Sequence, residues 1–243
     1  MKEYDISTYG ESVAPSYDAM YPAYDEAMIT TLTELARGGR ALELGIGTGR
    51  VALPLKEKGI EVHGIDASPS MIEKLRAKPG GENILVTMGN FADVAIEGEY
   101  QLVYVVFNTF FALLMQEEQL RCFERVAPRL SSGGAFVIEA FVPDQARFIG
   151  GQSTRAVQVT LDRVRLDVAM HDGVSQLITA QHVHITEQGI KLIPIQLRYA
   201  WPSEMDLMAR LAGLKLRARW DDWTGKPFTA ENQKHISVYE RAV

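Results

Sequence analysis

Residues 41–49 read Ala-Leu-Glu-Leu-Gly-Ile-Gly-Thr-Gly, and the fold turns on this stretch. Its apolar start is too short for a helix and stops at closely spaced glycines. That pattern predicts a buried strand feeding a tight turn. The residues that follow, Val51 to Lys58, suit a helix closed by Gly59, with Pro54 close enough to the first turn to be tolerated. A strand, a glycine turn and a helix start in succession let backbone approach a ligand closely and aim unpaired N–H groups at it.

The same alternation extends in both directions. Upstream, Met28, Leu32 and Leu35 recur at helical spacing between Asp25 and Arg37, and Gly38 and Gly39 stop the helix. Downstream come the strand EVHGID (61–66) and a helix from Pro69 to Ala77 that Ser68 caps. The strands NILVTMGN (83–90) and QLVYVVFN (101–108) follow, the second apolar on both faces as a central parallel strand must be. A helix is expected from Gln116 to Leu130, and Gly133 and Gly134 then lead into the strand AFVIEAFV (135–142). Strand and helix in this rhythm predict an α/β fold with a doubly wound parallel sheet.

After Pro143 the rhythm changes. Residues 155–171, 175–186 and 190–200 read as three β segments joined by turns at 171–173 and 187–189. Short turns imply antiparallel pairing, so residues 152–201 are expected to form an antiparallel β insertion after the fifth strand. Pro202 then opens a helix to Leu211, and LKLRARW (214–220) and HISVYER (235–241) supply closing strands. The expected organisation is one domain over 1–243: a lid (1–25), a core (26–151), the insertion (152–201) and a C-terminal helix with closing strands (202–243).

Composition narrows the function. A formal net charge of −6 with no basic stripe argues against nucleic acid as the main partner. Cys122 is the only cysteine, which fits a reducing cytoplasm and excludes an intramolecular disulfide. The beginning of the chain lacks the pattern of a signal peptide, and no apolar run reaches the length of a membrane span. The histidines His182 and His184 share a strand face without an evident third ligand, so a solvated face is expected and no metal site.

The glycine turn admits several readings. It suits a ligand-free βα turn, or the dinucleotide fingerprint G-x-G-x-x-G, which would make the chain a nicotinamide-dependent oxidoreductase. Against the latter, the last glycine falls one residue early, at Gly49, with Arg50 in its place. Asp66, ending the second strand, is placed to accept hydrogen bonds from both hydroxyls of a ribose, or else to serve a helix start.

Glu43-Leu-Gly45-Ile46-Gly47-Thr-Gly49, together with Asp66-Ala67-Ser-Pro-Ser-Met71 and Gly89-Asn90-Phe91, resembles the class I S-adenosylmethionine-dependent methyltransferases. The resemblance implies a Rossmann-like seven-stranded methyltransferase sheet and S-adenosyl-L-methionine as cofactor. It implies that Gly45, Ile46, Gly47, Gly49 and Arg50 wrap the methionine half while Glu43 orients the loop or the amino group. It further implies that Asp66 takes the ribose and that Ala67, Met71, Asn90 and Phe91 lie on the adenine side. The family usually has an acid where this chain has Asn90. An amide carbonyl accepts the same hydrogen bond without charge, although Gly-Asn also makes turns and Met71 also suits a core.

Tyr17-Asp18-x-x-Tyr21 resembles a segment that lies over the cofactor in related bacterial enzymes, aminosugar N-methyltransferases among them. A ring near a sulfonium contributes roughly 0.5–2 kcal/mol of cation–π attraction, while simple packing of the N-terminal helix is the other reading. Phe107 and Asn108 end the fourth strand with Thr109 and Phe110 following, Glu139 to Phe141 close the fifth, and both places face the same crevice. Glu139 is the candidate to orient or deprotonate an acceptor; its other reading is a salt-bridged or capping carboxylate. The expected reaction is methyl transfer to an N, O, C or S atom of a small molecule in bacterial specialised metabolism. A cofactor-binding regulatory module without turnover is the alternative outside catalysis. The insertion, with Arg163, Arg165, His182, His184, Arg198, Tyr199 and Trp201, is expected to shape the acceptor pocket, a homodimer contact being its other use.

Overall fold

The computed structural model describes residues 3–21 and 24–242. The expected lid over 1–25 therefore includes residues 1, 2, 22 and 23, which lie outside the described residues, as does residue 243. The chain forms strands β1 (Ala41–Leu44), β2 (Val62–Asp66), β3 (Leu85–Met88), β4 (Tyr100–Val105), β5 (Leu130–Phe141), β6 (Gln152–Val159), β7 (Arg163–Asp172), β8 (Leu177–Thr186), β9 (Gly189–Arg198), β10 (Leu214–Trp220) and β11 (Lys234–Arg241). Its helices are α1 (Thr8–Val13), α2 (Tyr17–Met20), α3 (Glu26–Ala36), α4 (Ala52–Glu57), α5 (Pro69–Arg76), α6 (Gln116–Val126) and α7 (Pro202–Leu211).

Seven strands make one sheet in the order β10-β11-β5-β4-β1-β2-β3. Strands β1 to β5 pair in parallel, and β11 enters antiparallel between β5 and β10. The expected Rossmann-like sheet is therefore present, with the closing strands where the sequence puts them. Strand order reverses between β1 and β4, and open α/β sheets bind ligands at the carboxyl ends of the strands beside such a reversal. Parallel strands covered on both faces must be apolar throughout, and every residue of β1 is buried. On one side Met28, Ile29, Leu32 and Leu35 of α3 pack on the sheet; on the other, Cys122, Phe123 and Val126 of α6 do so.

Local chemistry sets the helix ends. Asp25 accepts the Ala27 N–H at 2.9 Å to open α3, and Ser68 accepts the Met71 N–H at 3.2 Å to open α5. Helix α6 stops at Val126 rather than at the expected Leu130. Pro128 has no N–H to continue it; the chain passes through a short 3-10 turn over Ala127–Arg129, and Leu130 already pairs with Tyr100 of β4.

The insertion is a separate antiparallel sheet, β6-β7-β8-β9. It has four strands and not three, because residues 155–171 fold back on themselves. Thr160 N–H donates to the Arg163 carbonyl at 2.8 Å and the Thr160 hydroxyl to Asp162 at 2.8 Å, closing a turn at Leu161 and Asp162. Neither turn residue has a positive φ, so no glycine marks the place. The sheet's faces are inverted relative to a simple cover. Its body-facing side carries Arg165, Asp167, His182, His184 and Lys191 besides the buried Ala169, Ile178 and Ile193, whereas Met170, Ile190 and Leu192 on the other side are more than half exposed. His182 and His184 thus lie half-buried on the body-facing side of the sheet.

Candidate active site

The turn after β1 is held by β2. Gly45 N–H and Ile46 N–H both donate to the Ile65 carbonyl, at 2.8 and 3.1 Å, and Gly47 N–H donates to the Asp66 carboxylate at 2.7 Å. The second Asp66 oxygen accepts the Ser68 N–H at 2.9 Å. Burial raises the Asp66 carboxyl above its ordinary value, opposed by these backbone donors. The turn is built for glycine. Gly45, Gly47 and Gly49 have φ of 74°, 54° and 76°, and a Cβ on Gly45 would stand 2.5 Å from Thr109. At Gly47 a Cβ would meet nothing nearer than the Gly45 carbonyl at 4.0 Å, so the outer side of the turn is open space that a ligand can approach. Gly89, where β3 ends, is likewise open.

Glu43 lies almost wholly buried beneath the turn and accepts the Tyr104 hydroxyl at 2.9 Å. Burial pushes its carboxyl up to about 8, against the opposing pull of Tyr104 and of the Arg50 guanidinium. Arg50 stacks over the Phe107 ring with its guanidinium carbon 4.3 Å from the centroid, and it also hydrogen-bonds the Tyr17 hydroxyl. Tyr21 meets Phe107 edge-on at 5.1 Å and Tyr17 at 5.1 Å. The structure therefore brings Tyr17, Tyr21, Arg50 and Phe107 together as one cluster beside the glycine turn.

Phe107 and Asn108 are strained. Both have left-handed backbones, φ 61° and 64°, which costs of order 1–3 kcal/mol each for residues other than glycine. Strand β5 holds them there. Glu139, almost buried, accepts the Phe107 N–H at 3.0 Å on one carboxylate oxygen and the Trp223 indole N–H at 3.2 Å on the other. Its carbonyl accepts the Asn108 N–H at 3.2 Å, and the Asn108 amide oxygen accepts the Phe141 N–H at 2.7 Å.

On the expected adenine side, Met71 is buried against Val13 and Ala14 of the N-terminal segment, while Ala67 is only partly covered. The Asn90 amide oxygen accepts the Ala92 N–H at 2.9 Å and its NH2 donates to Glu118 at 3.1 Å, so Asn90 both closes a turn and faces α6. Phe91 packs, partly buried, against the core cluster that includes Phe110 and Phe123.

Two tethers escaped the sequence reading. Asp18 accepts the Thr48 hydroxyl at 2.7 Å and the Lys78 ammonium at 2.8 Å, while Lys78 also donates to the Thr48 carbonyl at 2.8 Å. Burial opposes its charge, but the Lys78 and Thr48 hydrogen bonds hold the Asp18 carboxyl below its ordinary value. Glu11 accepts from the Ser68 hydroxyl at 2.6 Å and the Ser70 N–H at 3.0 Å. These contacts fasten α1 and α2 across the glycine turn and the start of α5. Asp18 sits in the quoted Tyr17-Asp18 pair, but its partners come from two other elements.

The polar set of the insertion is divided. Arg163, Arg165 and His184 line a cleft of about 640 Å³ against Ser16, Ala19 and Met20 at α2. Arg198 is buried and donates to Glu204 at 2.8 Å and Gln119 at 2.6 Å, and Tyr199 is buried against His171 and Gln145. No helix among the described residues is long and apolar enough to cross a membrane.

A methyltransferase domain family matches residues 41–134, the span from β1 to the glycines inside β5. The CcbJ methyltransferase from Streptomyces caelestis is 39% identical, with a TM-score of 0.91 over 99% of this chain and 100% of that one. The Cypemycin N-terminal methyltransferase from Streptomyces sp is 27% identical over 98% of this chain and 99% of its own length. CalS10, an amino pentose methyltransferase from Micromonospora echinaspora solved with S-adenosylmethionine, shares the fold at 18% identity, with a TM-score of 0.69 over 93% of this chain and 96% of that one.

Proposed function

The chain belongs to the S-adenosylmethionine-dependent methyltransferases, and from that premise we propose that it methylates an amine nitrogen of a small molecule made in specialised metabolism. The observation that carries the choice of nitrogen is how the strand-end carboxylates are engaged. Glu43 is buried on Tyr104, Asp66 accepts two backbone N–H groups, and Glu139 accepts from Phe107 and Trp223. Each of these three is already committed to donors of the chain itself, and for Asp66 and Glu139 those donors favour the charged form and so weaken it as a base towards a hydroxyl. A hydroxyl nucleophile needs a base, whereas a neutral amine attacks with its own lone pair and loses its proton afterwards. The name of the cypemycin relative, an N-terminal methyltransferase, supports the same atom.

The cofactor, when bound, supplies a methyl group already activated by its sulfonium. The chain's residues then have to align the acceptor and exclude water, and these effects account for most of the acceleration asked of them. We assign Gly45, Ile46, Gly47 and Gly49 to the methionine half, with Glu43 beneath its amino group. Asp66 goes to the ribose, and Ala67, Met71, Asn90 and Phe91 to the adenine. Tyr17, Tyr21, Arg50, Phe107 and Asn108 form the wall over the reacting end, and Glu139 is a positioning residue for that wall. Assays with paired amine and hydroxyl acceptors, read by formation of S-adenosylhomocysteine and by product mass, test the proposal. Turnover confined to the amine members is expected; turnover of a hydroxyl acceptor in preference to its amine counterpart would overturn it.

A further inference from the structure

The cleft between α2 and the second sheet holds cations that methyl transfer itself does not use. Across its wall runs a row of cross-strand partners: Gln158 on β6, Arg165 on β7, His184 on β8 and Lys191 on β9. Arg163, two residues from Arg165 on the same strand face, lines the cleft as well. Like charges set side by side on a sheet repel, and partial burial sharpens the effect. Asp167, in the adjoining row, is already shared among His182 at 2.6 Å, Arg165 at 3.6 Å and Arg155 at 3.7 Å. Lys191 reaches only the Ser16 hydroxyl, at 3.2 Å, among its hydrogen bonds in the described residues.

Two side-chain nitrogens of the row, Arg165 Nε and His184 Nε2, are buried without a hydrogen-bond partner among the described residues. Buried polar atoms without a hydrogen bond are costly, and the Asp167 carboxylate comes no nearer to Arg165 Nε than 3.6 Å. Desolvation holds the His184 imidazole below its ordinary value, and the nearby charges of Arg165, His182, Lys191 and Arg163 add to it. This concentration of cations stands in a chain whose formal net charge is −6.

We propose that the cleft binds an anionic group of the acceptor, a carboxylate or a phosphate, and thereby sets which end of that molecule faces the glycine turn. The inference rests on the reading of the chain as a small-molecule methyltransferase. A guanidinium fork fits either oxyanion, and the ammonium of Lys191 adds a point charge opposite it. The volume of about 640 Å³ lies within the usual range for small-molecule sites. Helix α2 joins the two places: Ser16, Ala19 and Met20 border the cleft, while Tyr17 and Tyr21 pack towards Arg50 and Phe107.

The test uses the full chain saturated with S-adenosylhomocysteine, whose binding is measured first by calorimetry. Failure at that step counts against the cofactor reading alone, and the anion titration is then run on the ligand-free chain and judged by the same criteria. The complex, carrying 15N-histidine, is then titrated with inorganic phosphate and, separately, with succinate, following the His184 ring. A saturable response to one of them is expected, with the His184 titration midpoint moving upward; the arm that saturates at lower concentration identifies the oxyanion. In Arg165→Gln and in Lys191→Gln, affinity for that anion should fall about tenfold or more, while Arg210→Gln, on the exposed side of α7, should leave it unchanged. The same anion should compete with amine acceptors in turnover and leave cofactor affinity unaltered. The proposal is overturned if His184 responds to neither anion, if the response survives both substitutions, or if the bound anion does not compete with the acceptor.

Discussion

Glu139 accepts the backbone N–H of Phe107 at 3.0 Å, so a side chain of β5 holds the strained end of β4 in place. The same carboxylate takes the Trp223 indole N–H at 3.2 Å, and a charged acceptor satisfies two donors that a neutral amide cannot serve equally. Glu139→Gln is therefore expected to cost about 1–2 kcal/mol, a fall in Tm of about 2–8 °C for a chain of this size. If Glu139 positions the turn, turnover falls but the pH profile of kcat/KM keeps its shape. A profile that loses its limb on the acidic side in the variant would make Glu139 the base instead.

How much of this was legible in the sequence follows from where each partner lies. Gly45, Gly47 and Gly49 were legible because their left-handed backbones exclude other residues and they follow a strand directly. The order of strands and helices was legible for a similar reason, since a parallel sheet covered on both faces leaves its strands apolar throughout. Glu139 was legible as a residue at the crevice but not in its contacts, because Phe107 and Trp223 come from distant segments and their donors are a backbone N–H and an indole. The turn at Leu161 and Asp162 was hidden by ordinary backbone angles and residue types common in strands. That His182 and His184 are half-buried was hidden because the sheet turns its polar side inward, and alternation alone does not say which face meets the body.

The buried Glu43 gives the protein a distinctive pH dependence. Its carboxyl, pushed up to about 8 mainly by burial, keeps its proton in the folded chain where the unfolded chain has already released it. Stability from this group is full below the ordinary carboxylate value and declines as pH rises towards about 8, by at most about 1.4 kcal/mol per unit. Thermal unfolding of the cofactor-free protein at increasing pH should show the decline, and Glu43→Gln, which still accepts from Tyr104, should flatten it. An ammonium above Glu43 favours the carboxylate, so binding of S-adenosylmethionine at neutral pH should release protons. Calorimetry in buffers of different ionisation enthalpy detects that release; its persistence in Glu43→Gln would remove the assignment.

Asp18 ties the N-terminal segment to the turn that it covers. Its bond to Lys78, at 2.8 Å, is partly exposed, so the tether contributes about 0.5–1 kcal/mol and weakens with salt. Asp18→Asn should lower Tm by only about 1–4 °C yet speed hydrogen exchange over residues 3–21. The same variant should lower cofactor affinity several-fold. Cofactor and acceptor together should slow that exchange in the parent, as expected of a covering segment that gains order on its ligands. Equal exchange in the free, bound and substituted proteins would mean that α1 and α2 are a fixed part of the fold.

Asp66 supports the glycine turn and, on our assignment, also takes the ribose, so its substitution must be read against the ligand and not alone. Its two oxygens already accept Gly47 N–H at 2.7 Å and Ser68 N–H at 2.9 Å, each oxygen retaining a second lone pair for a hydroxyl. In Asp66→Asn one of those backbone donors faces an NH2 group, so some loss of stability is expected whatever the ligand does. The discriminating measurement is a cycle between this substitution and removal of the ribose hydroxyls from S-adenosylhomocysteine. In the parent, the dideoxy analogue should bind roughly tenfold to a hundredfold more weakly, the scale of charge-assisted hydrogen bonds. In Asp66→Asn the analogue and the full ligand should bind nearly alike, because the partner of the hydroxyls is already impaired. Losses that simply add would place the ribose elsewhere and leave Asp66 as a support of the turn alone. Burial raises the carboxyl above its ordinary value, so affinity for the full ligand should also fall as acid protonates it, and that dependence should vanish in the variant.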